Sequence, residues 1–254
     1  YSFYQAFTYL PEYDGQIEEM RERDQQYMNL VGGDYNTKVA DWLCELVQNA
    51  FDRRAKKCMI IIERDKRVLK FGHNGSGIEG PDARKKDKCG DVNALMKMGV
   101  SLKTYDLFSE GRFGVGFKYW KNHFSQVVLN SDGISFGWNK DNKKIKMERK
   151  DMGEWRDWTS FTFSGADQDG VTGPLNLEIA NLSRLKDAMR MRSTDFELEI
   201  IIKNNSKTTE EIKWAHKITA EEKFEGQKIL SCNYSETGLE NDLQSTIMLI
   251  PPNL

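Results

Sequence analysis

The segment from Lys38 to Lys57 constrains the fold more than any other. Val39, Leu43, Leu46, Val47 and Ala50 recur at helical spacing and form one apolar face. Asn36 or Thr37 is placed to cap its start. Glu45, Asn49 and Asp52 stand at i, i+4 and i+7, within about 60° of one another on the other side. A helix with one apolar stripe must be covered on that stripe. The chain supplies the cover at once: Cys58–Glu63 and Arg67–Phe71 read as two apolar strands, turned at Arg64-Asp65-Lys66.

Strands are further expected at about 125–129 and 134–138, joined through Asn130-Ser131-Asp132-Gly133, and at about 158–163, 175–179 and 196–203. Short helices are expected at Gln16–Asn29, near Val92–Met98, at about 115–123 and at Leu182–Met191. Residues 81–110 are charged and interrupted and read as a mobile segment. After Asn204-Asn205-Ser206 the composition turns polar, and residues 204–254 read as a C-terminal extension or the start of a second domain. Tyr1 in place of Met reads as the start of a trimmed fragment.

Composition excludes several classes. Charged residues at 30% and hydrophobic ones at 39% suit a folded chain, and no apolar run approaches the roughly 18 residues of a membrane helix. No membrane partner and no secretory signal are expected. A net charge of −2 does not indicate nucleic acid as a partner; of the basic runs 84–88 and 140–150, the second reads as a solvated loop, with a DNA or RNA contact there as the alternative. Cys44, Cys58, Cys89 and Cys232 lie far apart with no CxxC spacing, which points to reduced thiols in a cytoplasmic protein.

The polar stripe of the first helix is, alone, only a wet face. It gains weight from two glycine-rich segments, Asn74-Gly75-Ser76-Gly77 and Gly111-x-x-Gly114-x-Gly116. The second leaves a backbone bare of side chains before a helix start, where N–H groups attract anions. It lacks the Walker A lysine pattern and a surrounding βαβ unit, which disfavours a P-loop NTPase and a dinucleotide site. An amide oxygen such as that of Asn49 suits Mg2+, which takes one or two protein oxygens beside phosphate and water. A carboxylate one turn away, Glu45, can hold and polarise a water aimed at a γ-phosphate.

Taken in order, these segments resemble the GHKL (Bergerat-fold) ATPase superfamily, in particular the branch of the ninety-kilodalton heat-shock chaperone and the MORC proteins. Glu45-Leu46-x-x-Asn49-Ala50-x-Asp52 is similar to its helix motif. Asn74-Gly75-Ser76-Gly77-Ile78 is similar to its first loop, Gly99-Val100-Ser101-x-Lys103 to its lid, and Gly111-x-Phe113-Gly114-Val115-Gly116-Phe117-Lys118 to its second loop. The resemblance implies an α+β two-layer sandwich, a mixed and mostly antiparallel sheet covered by helices on one face. It implies an ATP-binding domain over residues 1–203, with a mobile ATP lid at about 81–110 and a transducer-like extension over 204–254.

It further implies Glu45 as general base and Asn49 as the Mg2+ ligand. Asp52, His73, Asn74, Gly75, Gly77 and Ile78 would form the base end. Ser101, Lys103, Gly111, Arg112, Phe113, Gly114, Val115, Gly116, Phe117 and Lys118 would form the phosphate end. ATP and ADP are the implied ligands. A nucleotide-dependent homodimer and further domains or partner proteins are the implied partners, and the location is cytoplasmic, or nuclear for a MORC-like protein. A histidine-kinase relative is disfavoured by Glu45.

His73 departs from the pattern, because the resemblance places an Asp there, whose carboxylate accepts the adenine amino proton. A neutral imidazole retains one acceptor nitrogen; alternatively His73 marks a different base preference, or a catalytically weak nucleotide sensor or scaffold. A late Thr entering a strand also belongs to the pattern, and Thr172 and Thr246 are its candidates.

Overall fold

The computed structural model describes residues 39–78, 95, 116–131, 134–141, 143, 145, 155, 157–166, 182–190, 194–224, 227–237 and 245–249. Its centre is a nine-stranded sheet in the order β4-β3-β5-β2-β1-β6-β7-β8-β9. The strands are β1 Lys57–Glu63, β2 Val68–His73, β3 Gln126–Ser131, β4 Ile134–Asn139, β5 Thr159–Ser164, β6 Phe196–Asn204, β7 Lys207–Phe224, β8 Gln227–Thr237 and β9 Ser245–Leu249. All neighbours pair antiparallel except β1 and β6, which run parallel. The helices bounded among the described residues are α1 Val39–Asp52 and α2 Ser183–Arg190, with a 3-10 segment Gly116–Asn122. The sheet is thus mixed, mostly antiparallel and covered by helices, the α+β sandwich expected.

Strand alternation sends Cys58, Ile60, Ile62, Leu69, Phe71, Phe161, Phe163, Leu198, Ile200 and Ile202 to one face, all buried. The apolar stripe of α1 lies on this face. Trp42 meets Phe163 of β5 edge to face at 4.8 Å, and Phe51 meets Phe196 of β6 at 4.2 Å. The helix therefore crosses the sheet obliquely, because Phe163 lies level with Ile62 of β1 whereas Phe196 lies beyond Lys57 at the other end of that strand. It packs also against α2 and the 3-10 segment.

The first helix and the segment after the second glycine loop differ from expectation, and β2 runs on to His73 rather than ending at Phe71. The first helix ends at Asp52, not Lys57. Arg54 adopts a left-handed φ of 58°, its N–H bonds Phe51 O at 2.7 Å, and the Ala55 N–H bonds Ala50 O at 2.9 Å, which is a Schellman closure with Ala55 buried behind it. The segment after the second glycine loop is 3-10 rather than α, with Phe117, Lys118, Tyr119 and Trp120 all buried in succession. Beyond β6, strands β7 to β9 continue the same sheet by hairpin pairing. The expected elements at 16–29 and 175–179, and all of the 92–98 helix but Leu95, lie outside the described residues.

Candidate functional site

Glu45, Asn49 and Asp52 sit on α1, each half-buried and each already engaged in the structure. The chain leaves β2 at His73, and the loop from His73 to Ile78 returns to the C-terminal end of α1. Asn74 Oδ1 accepts the N–H groups of Lys56 and Lys57 at 2.9 and 2.8 Å. The Ser76 N–H donates to Arg53 O at 2.9 Å, and Arg53 Nη1 donates to Gly77 O at 2.9 Å. Helix and loop are therefore one unit, and Arg53, which sequence reading passed over, is its clasp.

Gly75 is where this close approach demands a glycine. A Cβ there would stand 2.5 Å from Arg53 O and 2.9 Å from Ala55 N, contacts that backbone atoms cannot relieve cheaply. Ile78 is fixed from the other side: its N–H donates to Ser131 Oγ at 2.8 Å, and that hydroxyl meets Thr159 Oγ1 at 2.8 Å. Ser131 and Thr159 are both buried.

Thr159 opens β5 directly opposite His73 in the β2–β5 register. It fits the description of a Thr entering a late strand, and it opens a strand that the sequence makes legible. Thr246 sits on β9, five strands from β2, so about 24 Å of sheet separates the two. Thr172 lies outside the described residues.

His73 is 3% exposed. Its Nδ1 accepts the Gly75 N–H at 3.2 Å. Burial, followed by the nearby Arg53 charge, pushes its pKa down to about 4, so the ring is neutral near pH 7. Of the residues expected at the phosphate end, Phe117 and Lys118 are buried, and Lys118 is partnered. Phe117 O accepts the Trp42 indole N–H at 3.1 Å, which ties the segment after the second glycine loop to α1. Ser101, Lys103, Gly111, Arg112, Phe113, Gly114 and Val115, with the expected lid segment 81–110 apart from Leu95, lie outside the described residues. The structure thus gathers α1, the 73–78 loop, Thr159 and the start of the 3-10 segment. A separate groove of about 430 Å³, lined by Glu197, Lys213, Lys217 and Asn233 among others, includes none of these residues.

This sheet order and helix cover define a Bergerat-type α+β sandwich. Among solved structures, the topoisomerase IV ATP-binding domain of Francisella tularensis, in complex with a small-molecule inhibitor, matches with a TM-score of 0.50 at 13% identity. The match covers 81% of this chain and 62% of that chain, so the present chain spans less than two thirds of its length. No protein-family model and no curated protein matches the chain.

Proposed function

We propose that this chain is a GHKL-type nucleotide-binding domain that hydrolyses ATP to ADP and phosphate and acts as a nucleotide-driven conformational and dimerisation switch in a larger protein. The observation that carries the reading is the joining of the Glu45–Asn49–Asp52 helix to the His73–Ile78 loop through Arg53, in a fold shared with a named ATP-binding domain.

In this reading Glu45 orients and deprotonates the attacking water, and Asp52 supports the base end with Thr159. Asn49 fits a Mg2+ ion by the chemistry of its donor set: an amide oxygen, half-buried, one turn from a carboxylate. When bound, that ion would neutralise charge on the phosphate oxygens. The backbone of Gly111 to Gly116 would cradle the phosphates, and Ser101, Lys103 and Lys118 would contribute to that end. Residues 81–110 act as the lid, residues 1–203 form the nucleotide domain, and residues 204–254 form the extension through which closure reaches the rest of the protein. The heat-shock-chaperone and MORC branch, with a cytoplasmic or nuclear location, belongs to this proposal by the sequence motifs alone.

Glu45→Ala tests it. Phosphate release should fall to background while nucleotide affinity stays within about threefold; unchanged turnover removes Glu45 from the role. A second reading, a nucleotide sensor of weak turnover and altered base recognition, is favoured by one observation, the engaged acceptor nitrogen of His73. Saturable binding by the native chain without phosphate release would select it.

A further inference from the structure

We infer that His73 presents a hydrogen-bond donor to the base, so that the site favours a 6-oxopurine nucleotide, such as a guanosine or inosine triphosphate, over ATP. The inference rests on the reading of the His73–Ile78 loop as the base end of a nucleotide site, and within that reading it replaces ATP by a 6-oxopurine nucleoside triphosphate as the preferred ligand.

A neutral imidazole has one acceptor nitrogen and one N–H. The acceptor is spent within the protein, because Nδ1 receives the Gly75 N–H at 3.2 Å. The proton of the ring therefore sits on Nε2. Protonating both nitrogens would break the Gly75 bond and place a cation in a buried position beside Arg53.

The Gly75 N–H is not free to swing away and release Nδ1. Gly75 packs so closely on the end of α1 that a methyl carbon would stand 2.5 Å from Arg53 O. The next residue, Ser76, donates to that same Arg53 carbonyl, and Arg53 holds Gly77 O in return. The loop thus fixes the tautomer of His73 in the way that a second hydrogen bond fixes any histidine.

Replacing a carboxylate by this side chain inverts the polarity of the subsite. A carboxylate accepts the 6-amino group of adenine. An Nε2–H meets that amino group donor to donor, and meets the 6-oxo group of guanine or hypoxanthine donor to acceptor. Adenine satisfies the donor through its ring nitrogen only by shifting within the site. An unmatched polar pair in a buried site costs enough to separate the two base classes by about tenfold or more.

The test is a calorimetric titration of the native chain with ATP, GTP and ITP, each with Mg2+, repeated with His73→Asp. The native chain should bind GTP and ITP about tenfold or more tightly than ATP, and His73→Asp should reverse the order. ATP binding as tight as that of GTP and ITP overturns the inference while leaving the nucleotide site intact. Preference for GTP without preference for ITP also overturns it, because the 2-amino group and not the 6-oxo group would then be read. Binding of none of the three overturns the nucleotide reading and this inference with it. Should His73→Asp not fold, His73→Asn, which offers both a donor and an acceptor, should narrow the native preference, and an unchanged preference would count against the inference.

Discussion

Lowering pH should destabilise this fold through His73 in a way that can be separated from every other titrating group. The side chain is buried and neutral, with its pKa held at about 4 by desolvation and by Arg53. In the unfolded chain it returns to about 6.5. Between those values the unfolded state binds more protons than the folded state, so stability rises with pH across that window. The contribution is fully present above about pH 6.5 and is lost as pH falls toward about 4. A shift of about 2.5 units corresponds to about 3 kcal/mol in full, of which about 2.5 kcal/mol separates pH 7 from pH 4.5. The control is His73→Asn, which removes the titration and leaves the carboxylates and the other two histidines, His123 and His216, in place. Urea unfolding at both pH values reports the difference. Trp42, Trp120, Trp138 and Trp214 are almost wholly buried, so their fluorescence follows the transition. The native chain should lose about 2.5 kcal/mol more than the variant on going to the lower pH. Parallel losses in the two proteins would refute the reasoning, because His73 would then titrate alike in both states.

Two further perturbations test the packing around the site and the extension. The place of a Cβ on Gly72 is taken by the Trp155 ring, with a ring carbon 1.5 Å from it, so Gly72→Ala should displace the indole and cost about 1–3 kcal/mol in urea unfolding; an unchanged midpoint would contradict that packing. Glu236 on β8 is 2% exposed and pairs with Lys186 of α2, so Lys186→Met should cost about 3 kcal/mol by leaving a buried carboxylate uncompensated. Adding Glu236→Gln to Lys186→Met should recover most of that loss, and failure to recover it would show that the pair is not the source.

Much of this fold was legible because its elements carry strong periodicity. The α1 stripe and the apolar runs of β1, β2, β5 and β6 each announce a buried face. The end of α1 was not legible, because a left-handed closure is normally marked by glycine and here Arg54 adopts it. Strand β7 was obscured by its open face: Ile212, Trp214, His216 and Ile218 alternate with Lys213, Ala215 and Lys217, and the surrounding lysines and glutamates make the average polar. At the site, Glu45, Asn49 and the glycines stand out as a pattern in the chain. Arg53 and Thr159 do not, since each acquires its place only through the fold. Arg53 becomes a clasp because the helix stops beside it. Thr159 becomes a neighbour of His73 because β5 pairs with β2.

The central claim is that a magnesium-bound nucleoside triphosphate binds against the polar face of α1. Calorimetric titration with ATP and with GTP in the presence of Mg2+, for the native chain and for Asn49→Ala, tests it most directly. The account predicts saturable binding of one nucleotide per chain that requires Mg2+ and weakens at least about tenfold in Asn49→Ala. Absence of a saturable isotherm with either nucleotide, or equal affinity in Asn49→Ala, would contradict it.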